Sequence, residues 1–327
     1  MGEFIFLTPK IVFIGHIAID TVFKLGKKTD PSLGGSVSYC SLSLREYNQD
    51  VEIGIISTFN ESLYRDFIFS PLKKNDIDLN GLKLVEDKPT RFVLKYINHS
   101  RKLKLKSRCP DLKFDDIPSS FFEDPPEAVC FVPICNEIPY NFVKNIKEKL
   151  PNIYYGIDVQ GFIRKINRRG KIQLTRDENL INELIRIIEL LGNHLIIKGS
   201  EEEMKIISGM QNWGEIMEYF KQFDCVSIMT LGEKGSLIAK KDKNIVTIPA
   251  FQPRHVIDET GAGDVYLAIL LYEFLKSDKS WSAIKDAAYY ASSAASFDVE
   301  KKGVKGFQSL SKVQERINEG NIIKRSN

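Results

Sequence analysis

Short runs of β-branched and aliphatic residues recur along the chain, and amphipathic segments separate them. These runs predict buried strands at residues 10–14, 51–56, 128–132, 153–157, 194–197 and 226–230. The amphipathic segments have a helical repeat of apolar positions and predict helices over residues 36–47, 140–150, 177–191, 213–220, 263–276 and 281–297. Strands that alternate with helices in this way predict an α/β fold, a three-layer αβα arrangement around a central, mainly parallel sheet.

One region departs from this alternation of strands and helices. Residues 90–97 and 102–106 alternate apolar with polar side chains, and residues 98–101 connect them, which predicts a β-hairpin exposed on one face. Residues 20–25 alternate in a similar way just after the first predicted strand, so they can pair with the hairpin. We expect these segments to form a small β lid. The alternative is an edge extension of the main sheet.

No linker, internal repeat or shift in composition divides the chain. A single domain over residues 1–327 is therefore expected, with lid segments at about 20–30 and 88–107 inserted in it. If apolar side chains remain exposed on the outer face of the lid, that face is a candidate interface for a homodimer.

Composition and charge argue against several classes of protein. The 46 basic and 43 acidic residues are mixed along the chain, so neither a nucleic acid nor a membrane surface is expected as a partner. The apolar stretch at residues 4–14 is interrupted by Pro9 and Lys10, which argues against a signal peptide, and residues 266–275 are too few to span a bilayer. Five scattered cysteines without a CxxC pair favour a reduced, cytoplasmic protein that lacks structural zinc.

The most specific local pattern is Asp-Glu-Thr-Gly-Ala-Gly-Asp at residues 258–264, directly before a predicted helix. Glycines let a ligand approach the backbone closely, and the unpaired amides of a helix's first turn bind anions. Asp264 falls in that turn, where its carboxylate can take a proton from a hydroxyl that attacks a phosphate. The pattern predicts phosphoryl transfer with Asp264 as general base. The alternative is that Asp264 only caps the helix.

This segment resembles the DTxGAGD signature of the ribokinase-like (PfkB) carbohydrate and nucleoside kinases. The resemblance implies a ribokinase-like fold and an ATP-dependent enzyme that phosphorylates a hydroxyl of a small sugar, sugar acid or cyclitol. It also implies that Asp264 is the catalytic base and that an anion hole is formed by the backbone amides of Gly261, Ala262 and Gly263.

Other segments match the family in the same order along the chain. Residues 15–20 are similar to the family's opening strand, and residues 158–164 to its DxNxR-like segment, in a Gln-Gly version that resembles the archaeal sugar and inositol kinase-like branch. The resemblance implies that substrate is bound by Asp20, Gly34, Gly35, Gln160 and Arg164. Gly34 and Gly35 match a hinge next to the lid, whereas Arg164 can equally be a surface residue in a basic run.

The resemblance also assigns residues to the nucleotide and to ions. The nucleotide contacts are Lys198, Ser200, Thr230, Gly232 and Gly235, although Ser200 stands where the family has Asn. Glu203 aligns with the acid that positions Mg²⁺ through water, and Asp258 and Thr260 align with positions near a K⁺ site. From the residues alone, Ser200 and Glu203 also predict a helix N-cap with a capping box, so both interpretations can hold together.

Sequence motifs distinguish between the competing functions. A Rossmann dehydrogenase requires GxGxxG after the first strand and a P-loop kinase requires GxxxxGK[ST], and the sequence has neither. A nucleoside kinase of the same fold and a non-catalytic ligand-binding member stay open as alternatives. Ribose is not favoured, because the hinge lacks the Lys and Asn of ribokinases. The discriminating contacts are expected from lid side chains such as Phe23, Phe92 and Leu94.

Overall fold

The computed structural model describes residues 9–24, 27–60, 65–97 and 100–323. The described strands are β1 Lys10–Ile14, β2 Ala18–Lys24, β3 Lys27–Lys28, β4 Ser32–Gly34, β5 Glu52–Phe59, β6 Asp78–Leu84, β7 Thr90–Ile97, β8 Ser100–Ser107, β9 Ala128–Phe131, β10 Tyr154–Asp158, β11 Lys165–Ile166, β12 Ile172–Gln173, β13 Leu195–Ser200, β14 Val226–Thr230, β15 Ser236–Lys240 and β16 Val246–Ile248. The described helices are α1 Ser36–Tyr47, α2 Arg65–Lys74, α3 Ser120–Glu123, α4 Tyr140–Lys149, α5 Gln160–Ile163, α6 Glu178–Leu191, α7 Glu201–Ser208, α8 Trp213–Phe220, α9 Ala262–Leu275, α10 Trp281–Asp298 and α11 Leu310–Glu319. Short 3₁₀ turns lie at Phe114–Asp116, Gly192–His194, Gly232–Lys234 and Gly303–Gly306.

The large sheet has the strand order β16-β15-β14-β13-β10-β9-β1-β5-β6 within the described residues. Every pair from β14 to β6 is parallel, and only the β14–β15 and β15–β16 pairs are antiparallel. Central strands such as β1 and β9 are continuous apolar runs because helices cover both of their faces. One core cluster joins α1, α9 and α10 to one face, and a second joins α4, α6, α7 and α8 to the other. The three-layer αβα fold is therefore confirmed.

The predicted lid is confirmed as a separate small sheet. Strand β2 pairs in parallel with β7, β7 pairs antiparallel with β8, and β3 and β4 pair with β2. The alternative of an edge extension of the main sheet is wrong. Within the predicted 98–101 connection, residues 98–99 lie outside the described residues, as does Leu25 at the end of the predicted strand.

The alternation of side chains along the lid strands decides which of them face the cavity below. Asp20 pairs with Phe92 in register, and Val22 pairs with Leu94, so these four side chains lie on the inner face. Phe23 pairs with Lys95 on the opposite face, where the ammonium group of Lys95 lies 5.5 Å from the Phe23 ring centre. Of the three lid side chains from which substrate contacts were expected, Phe92 and Leu94 line the cavity, whereas Phe23 does not.

Most predicted elements agree with the structure to within a few residues, and α1, α8, β1 and β14 have the predicted bounds. The prediction omitted helices α2 and α11, the edge strand β6 and the antiparallel strands β15 and β16, together with several shorter elements. None of the described helices has the length and apolar content that crossing a bilayer requires.

Candidate active site

A cavity of about 100 Å³ lies under the lid, next to loops that follow the strands of the main sheet. Ligands in parallel α/β sheets bind at this edge because the loops after neighbouring strands converge there. Sequence reasoning predicted several of the lining residues, and the cavity brings them together. The lining residues are Asp20, Gly35, Ser36, Tyr39, Phe92, Leu94, Leu103, Ile134, Gln160, Arg164, Thr260, Gly261 and Asp264.

The glycine-rich loop begins helix α9 at one side of this cavity. Asp258 Oδ1 accepts a hydrogen bond from the Thr260 amide at 3.1 Å, which turns the chain toward the helix. Gly261 precedes the first helical residue, Ala262, and has a left-handed φ of 99°. A Cβ at Gly261 would lie 2.2 Å from the ring of Tyr39, so both its conformation and its packing require glycine. The first amides of α9 are therefore presented next to the cavity.

Asp264 lies in the first turn of α9 and lines the cavity. The Ser36 hydroxyl hydrogen-bonds to its carboxylate, while its Oδ1 is buried without a hydrogen-bond partner within the described residues. Burial, together with the nearby charge of Asp158, raises the pKa of Asp264 to about 6, and the positive charge of Lys198 opposes that rise. Asp264 is therefore ionised at neutral pH but far more basic than an ordinary aspartate, as a general base should be.

A chain of hydrogen bonds connects Asp264 with the predicted substrate residues. The Ser36 hydroxyl accepts a hydrogen bond from Gln160 Nε2 at 3.0 Å. Gln160 Oε1 in turn accepts one from the Arg164 guanidinium at 2.6 Å, and Arg164 also donates to the Ile134 carbonyl at 2.8 Å. Arg164 is therefore fixed at the cavity wall rather than in solvent. Sequence reasoning missed Ser36, for which its place directly after the diglycine was the available signal.

The diglycine at residues 34–35 packs against the start of the lid. A Cβ at Gly34 would lie 2.4 Å from a carboxylate oxygen of Asp20, and a Cβ at Gly35 would lie 2.4 Å from the His16 carbonyl oxygen. Gly35 also has a left-handed φ of 90° and directly precedes helix α1. Because both glycines are needed for this close approach, the hinge segment holds Asp20 at the cavity.

Lys198 lies behind the glycine-rich loop and forms a buried ion pair. Its Nζ is 2.5 Å from Asp158 Oδ2, and the two side chains are 6% and 2% exposed. Burial by itself would lower the pKa of Lys198, but Asp158, with smaller contributions from Glu203 and Asp264, raises it above its ordinary value. A Cβ at Gly263 would lie 2.7 Å from Lys198 Nζ, so the ammonium group is directly against the first turn of α9.

The other predicted nucleotide residues follow two adjacent strands outside the cavity lining. Ser200 and Thr230 pair in register at the ends of β13 and β14. Ser200 forms the predicted capping box: its hydroxyl accepts from the Glu203 amide, and Glu203 Oε2 accepts from the Ser200 amide at 2.8 Å. Glu203 is 9% exposed, and burial raises its pKa. Gly232 and Gly235 have left-handed φ values of 59° and 82° in the turn after β14.

A buried group of possible metal-binding residues on the opposite side of the cavity is fully used by hydrogen bonds. His16, Cys135 and Glu137 have ligand atoms within 4.8 Å of one another. The His16 ring, however, bonds the Thr90 hydroxyl at 3.0 Å and the Pro110 carbonyl at 2.9 Å. The Glu137 carboxylate accepts the amide hydrogens of His16, Ile134 and Cys135. These hydrogen bonds therefore fix the loop that carries Ile134.

Asp298 is a further acidic residue beside the glycine-rich loop, and sequence reasoning missed it. It is the last residue of α10 and is 0% exposed. The next residue, Val299, accepts hydrogen bonds through its carbonyl from the amides of Ile257 at 2.8 Å and Asp258 at 3.3 Å. Burial, followed by the charges of Asp264 and Asp258, raises the pKa of Asp298 to about 8.

Comparison with known proteins gives matches along the whole chain. Residues 163–309 match the model of the pfkB family carbohydrate kinases. A nucleoside kinase of Methanocaldococcus jannaschii is 33% identical over 137 residues, which are 42% of this chain and 43% of that protein, so the alignment spans less than half of the relative. A provisionally assigned sugar kinase of Pyrococcus horikoshii is 24% identical over 318 residues, 90% of this chain and 91% of that one.

Solved structures share the fold over almost the full length. A pyrophosphate-dependent kinase in the ribokinase family, complexed with a pyrophosphate analogue and myo-inositol, has a TM-score of 0.73 and 20% identity, and the superposition covers 94% of this chain and 99% of that one. The fold predicted from the sequence is thus also that of solved ribokinase-family proteins.

Proposed function

We propose that this chain, whose residues 163–309 match the model of the pfkB family carbohydrate kinases, belongs to that family and transfers the γ-phosphoryl group of ATP to a hydroxyl of a small sugar, sugar acid or cyclitol. One observation carries the proposal. Asp264, with a pKa of about 6, lines a cavity that Asp20 also lines, and it lies in the first turn of a helix whose first amides are free. A base and an anion-binding loop at one cavity are what phosphoryl transfer to an alcohol requires.

Each group has a role in the reaction. Asp20 binds hydroxyls of the substrate and orients one of them toward Asp264. As that oxygen bonds to the γ-phosphorus, its proton passes to Asp264 and the bond between the γ-phosphorus and the bridging oxygen breaks, which releases ADP. The amides of Gly261, Ala262 and Gly263 stabilise the negative charge on the transferred group. Arg164, already at the cavity wall, pairs with phosphate oxygens.

Two ions belong to this proposal. Glu203 has a buried carboxylate with the carboxylate of Asp158 nearby, and oxygen ligands suit a hard divalent cation, so Glu203 would hold Mg²⁺ through water, and the ion would neutralise charge on the ATP phosphates. Asp258 and Thr260 would hold K⁺ at the start of the glycine-rich loop, where the buried, unpaired carboxylate of Asp298 fits a nearby cation. Activity should disappear in excess chelator and return when Mg²⁺ is added back.

The lid would exclude water from the reaction. Its inner face places the apolar side chains of Phe92, Leu94 and Leu103 over the cavity, so closure on substrate would protect ATP from hydrolysis. The reduced, buried state of all five cysteines supports a cytoplasmic setting. A homodimer through the lid stays a prediction, and light scattering at micromolar concentration tests it: a monomeric mass would contradict it.

The test is turnover with a panel of acceptors. ADP release should be measured with ATP and Mg²⁺ against sugars, sugar acids, cyclitols and nucleosides, with Asp264→Asn as the control. Pyrophosphate belongs in the panel as a second donor, because the solved relative with myo-inositol uses it. Turnover of nucleosides alone would favour the nucleoside kinase alternative, which the similarity to the Methanocaldococcus jannaschii protein supports. Binding without any turnover would instead indicate a non-catalytic member.

A further inference from the structure

The carboxylate of Asp298 has no compensating group among the described residues. It is fully buried at the end of α10, and neither Oδ1 nor Oδ2 has a hydrogen-bond partner within the part of the chain that the structure describes. Buried polar atoms are almost always paired, and an ionised carboxylate without a partner is strongly unfavourable in the interior. Two unpaired oxygens on one buried side chain therefore point to a ligand that supplies positive charge.

The surroundings of Asp298 add negative charge instead of offsetting it. The charged groups that act on it are the carboxylates of Asp264 and Asp258, and the Tyr39 phenol also lies close by. Asp298 also ends an 18-residue helix, whose C-terminus carries partial negative charge from its free carbonyls. The helix dipole destabilises a carboxylate at this end of a helix. The local field therefore attracts a cation.

The backbone brings Asp258 to the same place. The Val299 carbonyl accepts the amide hydrogens of residues 257 and 258, which holds the start of the glycine-rich loop against the end of α10. On the other side, the turn Gly303–Gly306 closes over Asp298, and a Cβ at Gly306 would lie 2.7 Å from the Asp298 Cα. The site is therefore enclosed by the loop, the helix end and this turn.

We propose that Asp298 is a direct ligand of the monovalent cation held by Asp258 and Thr260, so that two carboxylates from the loop and from α10 bind one ion. The inference rests on the cation site of the proposed function. Ligands that are all oxygen suit a hard cation such as K⁺. The bound ion compensates the buried charge of Asp298 and ties residues 258–260 to the end of α10. It thereby fixes the loop that presents the first amides of α9.

Binding of the cation is tested on the full chain without nucleotide or acceptor, so the outcome does not depend on kinase activity. Thermal unfolding is followed while KCl replaces choline chloride at constant ionic strength. The melting temperature of the wild type should rise and saturate with K⁺. In Asp298→Asn the apparent affinity for K⁺ should fall by about tenfold or more, because a charged ligand is lost. The matched control Asp286→Asn, an exposed position on the same helix, should respond like the wild type.

Without K⁺ and above pH 8, where the Asp298 carboxyl is ionised in the folded chain, the Asp298→Asn variant should melt above the wild type, because the uncompensated buried charge is gone. An unchanged K⁺ response in this variant would overturn the proposal. Stabilisation of the wild type by MgCl₂ or CaCl₂ but not by KCl would overturn it too. If the variant does not fold, anomalous scattering from wild-type crystals soaked in thallous or rubidium salts decides. A peak in direct contact with the Asp298 carboxylate supports the proposal, whereas no peak there, or one that contacts Asp258 alone, refutes it.

Discussion

Replacing Asp264 with asparagine should separate catalysis from stability, because the two properties are expected to change in opposite directions. Asparagine is nearly isosteric with aspartate and can still accept a hydrogen bond from Ser36, so the first turn of α9 should keep its shape. It cannot accept the substrate proton, however, and it carries no charge. The variant should therefore lose most of its turnover and gain stability above neutral pH.

The size of both effects follows from the site. Loss of a general base typically lowers the rate roughly 100- to 10,000-fold. For stability, the pKa of Asp264 rises from 3.8 to about 6 on folding, and each tenfold change in proton affinity is worth ~1.4 kcal/mol, so ionising this carboxyl costs the fold up to about 3 kcal/mol. Because Asp264 lines a cavity that solvent reaches, this figure is an upper bound.

The sign of the pH dependence can be worked out in the same way. Below pH 3.8 the carboxyl is protonated in both the folded and the unfolded chain, so the variant and the wild type should be equally stable. As pH rises toward 6, the unfolded chain ionises more readily than the folded one, and the wild type loses stability relative to the variant. The full difference should be present above neutral pH and should stay constant from there.

The assay combines steady-state kinetics with urea unfolding across this pH range. The control is Asp286→Asn, which removes an exposed carboxylate and should change neither the rate nor the unfolding midpoint. A variant of Asp264 that turns over at the wild-type rate would refute its role as base. A variant that is less stable than the wild type at about pH 8 would show that the carboxylate stabilises the helix as a cap, and the electrostatic reasoning would fail.

Three further predictions concern the neighbours of this base. Lys198→Met removes the positive charge that lowers the pKa of Asp264. The acid limb of the pH profile of kcat/KM, expected at about pH 6 in the wild type, should therefore move to higher pH. Ser36→Ala should lower kcat by about tenfold with little change in KM, whereas Ser41→Ala, which loses only a bond to its own helix, should keep the wild-type rate; equal rates would exclude a positioning role. Gly261→Ala should cost about 1–3 kcal/mol more in urea unfolding than Gly232→Ala, since both have positive φ but nothing lies within 4 Å of a Cβ at Gly232. Equal costs would contradict the packing described here.

The sequence alone was enough to predict the layers of the fold and the centre of the site. Parallel strands buried on both faces must be continuous apolar runs, and β1 and β9 were recognised from that property. The lid strands face the cavity on one side only, so they alternate and could be told apart from the core strands. The glycine-rich loop and Asp264, the proposed base, could be recognised because residues 258–264 are contiguous and lie at the start of one helix.

Other features depend on contacts between distant segments, and spacing along the chain does not encode those contacts. The edge strands β6 and β16, and β15 next to β16, have short or weakly patterned sequences, and only pairing with a neighbour makes them strands. Lys198 was expected at the nucleotide, but its ion pair with Asp158 forms only when β13 lies beside β10.

The same holds for the residues that tune the site. Ser36 meets Asp264 because α1 packs against α9, although more than two hundred residues separate them in the sequence. In the sequence, Asp298 is an ordinary acidic residue at the end of a predicted helix rich in alanine and serine. Its buried position next to Asp258 arises from the hydrogen bonds between Val299 and residues 257–258. The order of residues therefore determined which chemical groups lie together within one segment. The tertiary structure determined burial and charge coupling, because these two properties depend on which segments exclude water from one another.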